Sequence, residues 1–430
     1  MHAHIRPSGP SKTALIKRIL GFSALPILGG ILPLVALSLI GLNVASDVEW
    51  VGMNVGLSVG GIAGAVALVG WNVLGTPLIA LAKRDEDRRN LYARSFYIRA
   101  AASITLAVVA SLVSALVAPE AALASAAFAT AAALGGLTMS WYAVGVARPS
   151  LILWFDIVPR AMMTITGVGL TLLTGSIVWY AVGLGTSVVL GAVAFHAHLL
   201  RKALPPWPGW GQMRRDVREM RAAWGVESVG NSFANAPLPL AGIFGSIASA
   251  AGFASADKIY RYGIMGVAAV ANALQGWALE VTGASRARRN IISVLLMCVV
   301  ALIGLLVLAV GGTWLSASLF GADKAGDAGT LLFYGIAFFC VTMSTPLIRN
   351  VLIPARRDRA VFRATVGAAT VGLAAMTLLG SILGPLGVAI GFAASEALML
   401  VACAALSARA GLRGLPSAGP PVIETPRTTT

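Results

Sequence analysis

Apolar residues fill this chain in long blocks, and short polar or basic segments separate them. Each block approaches the ~20 residues that carry a helix across hydrocarbon. None shows the two-residue alternation of a membrane β-strand. Twelve spans are predicted, at residues 24–45, 51–73, 96–117, 121–143, 150–173, 177–199, 226–249, 259–281, 291–313, 330–348, 360–383 and 386–408. Lipid offers no water to stray peptide groups, so these blocks must satisfy their backbone internally, as helices. The pattern predicts an all-α, polytopic membrane protein.

One polar stretch, residues 199–225, divides the chain. It opens with Arg201 and Lys202, turns through Pro205, Pro206 and Pro208, and carries Trp207 and Trp210. Met213, Val217, Met220 and Trp224 then recur at helical spacing, while Arg214, Arg215, Arg218 and Arg221 take the other faces. An apolar stripe beside a basic face suits a helix in the headgroup layer of a membrane. The domain expectation is an N-terminal segment at 1–23, a six-helix bundle at 24–199, a basic amphipathic connector at 200–225, a second bundle at 226–408, and a disordered Pro- and Thr-rich tail at 409–430.

Composition sharpens this. Of 430 residues, 57% are hydrophobic and 11% charged, with a mean hydropathy of +0.83. The charged share is under half the ~25% of soluble domains. A net charge of +15 would suit nucleic acid, but the basic residues are scattered over many short loops. Counted from a cytoplasmic N-terminus, 28 of the 32 lysines and arginines fall on cytoplasmic segments. Arg160 lies within span five, Lys324 in an outer connection, and Lys258 and Arg261 at the outer start of span eight. That asymmetry is the positive-inside rule for twelve spans with both termini cytoplasmic. The basic residues before span one do not make a signal peptide, because the apolar run is too long and lacks a cleavage site.

An internal repeat shows at an offset near 200. Arg88-Arg89-Asn90 matches Arg288-Arg289-Asn290, Asn72 matches Asn272, and Arg148 falls near Arg349. This predicts two six-helix bundles in the same orientation, an arrangement that places substrate between the halves.

Several polar groups interrupt the apolar blocks. In span two, Gly52, Gly56, Gly60 and Gly64 lay a groove for a neighbouring backbone. Asp156 and Arg160 stand one turn apart in span five. Glu227, Asn231 and Asn235 climb one face of span seven, and Asp257, Arg261, Asn272 and Gln275 share a face of span eight with Lys258 beside them. Glu396 is a lone acid in span twelve. Intramembrane ionisable groups face bundle interiors or water, so these mark a path. No catalytic residues are expected: there is no phosphate-binding glycine loop with a lysine and no nucleophile–base pair. No metal site or cofactor is expected either. Cys298, Cys340 and Cys403 sit inside apolar runs as packing residues, and His196 and His198 point to different helix faces.

Short motifs carry a resemblance. They are Trp141-Tyr142 with Gly145, Ile157-Val158-Pro159-Arg160, Gly252-Phe253 with Ala256-Asp257-Lys258, Leu319-Phe320-Gly321, Gly384-Pro385-Leu386-Gly387-Val388, and Glu396. In order and spacing the chain resembles the polysaccharide (O-antigen and exopolysaccharide) flippases of the multidrug/oligosaccharidyl-lipid/polysaccharide exporter superfamily. It departs from them in span seven, where Asn235-Ala236-Pro237 stands in place of an aspartate, so the coupling ion stays open. The resemblance implies a bacterial inner-membrane protein that moves a polyprenyl-diphosphate-linked glycan from the cytoplasmic to the outer leaflet. Its partners would be membrane lipids, a proton or sodium counter-ion, a polysaccharide polymerase and glycosyltransferases. Arg160, Lys258 and Arg261 then fall to the diphosphate, with Asp156 beside Arg160. Asn231, Asn235, Asn272 and Gln275 fall to sugar hydroxyls, and Glu227, Asp257 and Glu396 to the ion. The rivals are a multidrug exporter of the same superfamily or of the major facilitator type, and a membrane glycan polymerase or glycosyltransferase.

Overall fold

The computed structural model describes residues 30–200, 207–279 and 283–410. The expected N-terminal segment and the start of span one lie outside them. So do Arg201, Lys202, Pro205 and Pro206 of the connector, and the tail beyond residue 410. Among the described residues all regular structure is helical.

Fourteen helices follow one another: α1 Gly30–Asn43, α2 Asp47–Ala67, α3 Trp71–Leu81, α4 Asp85–Val117, α5 Pro119–Gly145, α6 Pro149–Thr174, α7 Val178–Leu200, α8 Trp210–Asn235, α9 Pro237–Phe244, α10 Ile247–Leu279, α11 Gly283–Phe320, α12 Ala328–Leu352, α13 Asp358–Leu383 and α14 Pro385–Ala410. Every expected span but the seventh coincides mainly with one of them; the seventh, 226–249, is divided among the end of α8, all of α9 and the start of α10. Nine of the described helices are long and apolar enough to cross a membrane. The other main candidates are the short α1 and the charge-bearing helices α8 and α10.

The halves repeat one another. In the first, α2 packs on α4 and α5, α4 on α5, α5 on α7, and α6 on α7. In the second, α10 packs on α11 and α12, α11 on α12, α12 on α14, and α13 on α14. The joints repeat too. After α5, Val146 N donates to Tyr142 O at 3.0 Å and Arg148 N to Ala143 O at 3.0 Å. After α12, Ala355 N donates to Val351 O at 3.1 Å and Arg357 N to Leu352 O at 3.0 Å. Ala147 and Arg356 hold φ of 56° and 54° in the two turns. The structural counterpart of Arg148 is therefore Arg357, not Arg349 as the sequence offset suggested.

Side-chain exposure is inverted relative to a soluble protein. Large apolar residues point outward from α4, α6, α7, α11 and α13, Leu173, Val310 and Leu116 most of all at 83%, 82% and 81% exposed. Such surfaces are stable only against lipid. Helix α2 is central. A capping box starts it: Ser46 Oγ accepts from Glu49 N at 3.3 Å, and the Glu49 carboxylate accepts from Ser46 N at 3.1 Å. Its glycine row lies flush on α5; a Cβ on Gly56 would sit 2.3 Å from Ser125 O and one on Gly60 2.3 Å from Ala129 O.

The expected connector, from Trp210 onward, and the start of the seventh span form one uninterrupted helix, α8, which ends at Asn235; the rest of that span falls in α9 and the first residues of α10. The apolar stripe expected to face lipid headgroups turns toward protein instead. Met220 is buried with Val69, Trp71 and Tyr92 of the first half, and Met213, Val217 and Trp224 pack on the same cluster. Trp224 Nε1 donates to Val66 O at 2.8 Å. Asp216, buried on that face, pairs with Arg94 of α4 and accepts from Gln212 Nε2 at 2.8 Å.

Candidate translocation chamber

Helix α10 begins at Ile247, twelve residues before the expected start of span eight. Lys258 and Arg261, expected near an outer loop, therefore lie in mid-helix. At 1.5 Å per residue, Asp257 is about 15 Å inside the helix. Charges at that depth need partners. Arg261 Nε donates to Asp257 Oδ2 at 2.6 Å, its Nη1 to Asn235 Oδ1 at 3.1 Å and its Nη2 to Ala234 O at 2.8 Å. Ala234 and Asn235 end α8, and Pro237 prevents the helix from continuing unbroken, so the Ala234 carbonyl is available. Tyr334 of α12 donates to Asp257 Oδ1 at 3.2 Å. This network joins α8, α10 and α12.

Aromatic rings surround it. Tyr334 lies 5.2 Å from Tyr260 and 5.8 Å from Phe392 between ring centroids, and Phe233 of α8 lies 5.7 Å from Phe392. Glu396 is one turn beyond Phe392 and close enough to interact electrostatically with Tyr260.

Lys258 differs from its neighbours. Only 9% of it is exposed, yet its ammonium makes no hydrogen bond or ion pair among the described residues. Its place on α10 fixes what it faces. Ser255, one turn back, accepts from Trp50 Nε1 of α2 at 3.2 Å. Tyr262 and Met265, one and two turns on, lie against Gly30 of α1. Residues 255, 258, 262 and 265 share one helix face. Lys258 thus looks across the seam between the halves. Asn54, one turn beyond Trp50 on α2, has a buried Oδ1 without a hydrogen-bond partner among the described residues.

The remaining expected site residues divide. Asn235 joins the cluster, and it also abuts Gly61 of α2. Asn231 is one turn away and donates Nδ2 to Glu227 O at 2.9 Å, which leaves its amide oxygen unengaged. Glu227 meets Asn72 of α3, on the first half. Asn272 and Gln275 do not join: they lie more than ten residues further along α10, and Asn272 accepts from Arg349 Nη1 at 2.6 Å. Asp156 and Arg160 form an ion pair at 2.7 Å in the other half. With Gly135, Thr138, Met139 and Ser187 they line a separate cavity of about 180 Å³.

Among the charged residues that fall inside expected spans, Arg99 was given no role. Arg99, fully buried in α4, donates Nη1 to Gly136 O at 3.1 Å and to Thr138 O, and sits 5.4 Å from the Trp141 ring centroid. It satisfies the carbonyls that the break in α5 leaves free, and that break forms a wall of the Arg160 cavity. Its signal was legible, since residue 99 falls inside the expected third span. Tyr334 gave no such signal. It is one aromatic in an apolar run.

No family model and no curated protein matches the chain. Solved structures do. The chain is similar to an inward-facing multidrug resistance MATE family transporter of the MOP superfamily, with a TM-score of 0.59 and 14% identity over 91% of this chain and 97% of that one. It is similar to the lipid II flippase MurJ in an inward closed conformation, with a TM-score of 0.65 and 9% identity over 89% and 86% of the two chains. A eukaryotic MATE transporter, AtDTX14, gives 0.53 and 13% over 92% and 96%. The chain therefore has the fold of MOP superfamily transporters, over nearly its whole length.

Proposed function

We propose that the protein is a flippase that carries a polyprenyl-diphosphate-linked oligosaccharide from the cytoplasmic to the outer leaflet of a bacterial inner membrane. The observation that carries this reading is Lys258. A nearly buried lysine on the seam between two six-helix halves, with no hydrogen bond or ion pair among the described residues and Asp257 already held by Arg261, is costly unless an anion visits it. A diphosphate supplies that anion, and the fork of Arg261 one turn away adds planar donors suited to phosphate oxygens. Asn231 and Asn235 offer amide groups to sugar hydroxyls beside it. Arg160, with Asp156, makes a second cationic station in the other half. Glu227, Asp257 and Glu396 are the acids available to a proton or sodium ion. The fold shared with a lipid II flippase supports this reading. The arginine-rich end of the bundle is then cytoplasmic, and polymerases and glycosyltransferases act before and after it.

The test is flipping of a fluorescent polyprenyl-diphosphate oligosaccharide in vesicles containing the purified protein. Removing one charged hydrogen bond to the cargo costs about 1.5–3 kcal/mol. Lys258→Ala is thus expected to slow flipping about tenfold or more, while Lys258→Arg retains part of it. An unchanged rate in Lys258→Ala sinks the reading. A second reading, export of aromatic cations, is favoured by the rings of Tyr260, Tyr334 and Phe392 near Glu396. Uptake of a cationic dye into the same vesicles, with no flipping, would select it.

A further inference from the structure

A second cavity, of about 290 Å³, opens at the arginine-rich end of the first half. It lies between the first turns of α4, the turn from α5 to α6, and the last turn of α7. Arg88, Arg89 and Arg148 line it, with His198 and Tyr142. One acid, Asp85, faces them and engages Arg88 through Nη1 at 3.3 Å. Arg88 Nε is buried without a partner. Arg89 and Arg148 make no side-chain hydrogen bond or ion pair among the described residues. Three guanidinium groups around one small space repel each other, and a single carboxylate offsets only one of them.

The cavity's floor and flanks indicate what restores the balance. Its floor is apolar: Phe195 and Leu151 line it, and Tyr142 packs edge-on against Phe195 at 5.4 Å. Its flanks face lipid, for Trp154 on α6 and Val193 on α7 are among the exposed apolar residues. A tryptophan at the end of a spanning helix belongs to the headgroup level. The space suits a headgroup and is too small for a glycan. The second half does not repeat the arrangement. There Arg289 lies 4.8 Å from the Trp277 ring centroid and donates to the Trp277 carbonyl at 2.6 Å.

We propose that this cavity binds the phosphate group of an anionic membrane phospholipid, held by Arg88, Arg89 and Arg148 with the glycerol end on Phe195. The bound lipid ties α4, α6 and α7 together at the membrane surface. This site is distinct from the seam that holds Lys258 and stands whichever cargo the seam carries.

The full chain in detergent, titrated with phosphatidylglycerol or phosphatidylcholine and read by native mass spectrometry, tests the proposal. The wild type is expected to retain phosphatidylglycerol more tightly than phosphatidylcholine, by about tenfold or more. The Arg89→Ala/Arg148→Ala double variant is expected to bring the two lipids to near parity. Equal retention of both lipids by the wild type overturns the proposal, as does an intact preference in the double variant. Inorganic phosphate that displaces the lipid at millimolar concentration reassigns the site to a soluble anion and overturns the lipid source. Should the double variant not fold, Arg148→Gln alone is expected to lower the preference about threefold or more, and an unchanged preference there overturns it.

Discussion

Arg99 and Lys258 are both buried cations in membrane helices, but their surroundings give them opposite roles. Arg99 is spent mostly on protein: Nη1 donates to the carbonyls of Gly136 and Thr138, Nη2 to Ser95 Oγ at 3.5 Å, and the face of Trp141 meets its charge, with Nε alone left without a partner among the described residues. Arg99→Met would leave those carbonyls unpaired at a cost of about 1–3 kcal/mol for each buried group. The expected result is a clear fall in thermal midpoint together with slower transport, because the same carbonyls wall the Arg160 cavity. Arg99→Lys should recover part of both. A thermal midpoint unchanged by Arg99→Met would show that water replaces the guanidinium and that Arg99 holds nothing. Lys258 has no such commitments. Its substitution is expected to change transport far more than stability, and comparing the two variants in one thermal assay separates the roles.

At the scale of elements, the glycine row of α2 was legible because strict four-residue spacing has a direct geometric meaning. The contact with α5 leaves no room for a methyl group at Gly56, whose added Cβ would meet the Ser125 carbonyl at 2.3 Å. Backbone on backbone cannot relax as a side chain can, so Gly56→Ala is expected to cost about 1–3 kcal/mol. Reduced yield of folded protein and a lower thermal midpoint would show it, and a neutral variant would mean the two helices slide apart freely. Other elements were misread for identifiable reasons. The start of α10 was set too late because Asp257, Lys258 and Arg261 have the hydropathy of a loop. They are helical because Asp257 and Arg261 neutralise each other one turn apart. Helix α8 was divided because its arginines look like a linker, although its apolar stripe was read correctly. What covers that stripe, the first half and not lipid, lies in tertiary structure alone. The same limit applies to the site. Spacing found Asn235 and Arg261 on usable faces, while their meeting depends on how α8 crosses α10. The repeat was visible as matched arginines, but its true register needed the paired turns at Ala147 and Arg356.

The whole molecule holds its halves together at both ends, and the two seams differ in kind. At the arginine-rich end, α8 belongs to the second half yet lies along the first over several turns. At the opposite end the apolar core runs across the seam, with Trp50, Met53 and Val55 in one cluster with Ala250, Phe253 and Phe320, and polar contacts are few. Ser38 Oγ donates to Leu319 O at 2.6 Å, Trp50 stacks on Phe320 at 5.1 Å between centroids and donates to Ser255, and Lys324 bonds Asp323 and reaches Asp47 at 3.9 Å. A tilted aromatic pair is worth about 0.5–1.5 kcal/mol beyond its area and a neutral hydrogen bond about 1. The polar part of this seam is thus only a few kcal/mol, the scale that separates interconverting states, and opening at this end is the prediction tested next. Ser255, fully buried in the closed form, reports on it. In a background with Cys298, Cys340 and Cys403 replaced by serine, maleimide labelling of Ser255→Cys should be slow. Adding Trp50→Ala should speed it about tenfold, the equivalent of ~1.4 kcal/mol. Labelling that ignores Trp50→Ala would place the first opening at α8 instead, and Asp216→Asn, which removes the charge that Arg94 holds, would then be the variant that speeds transport.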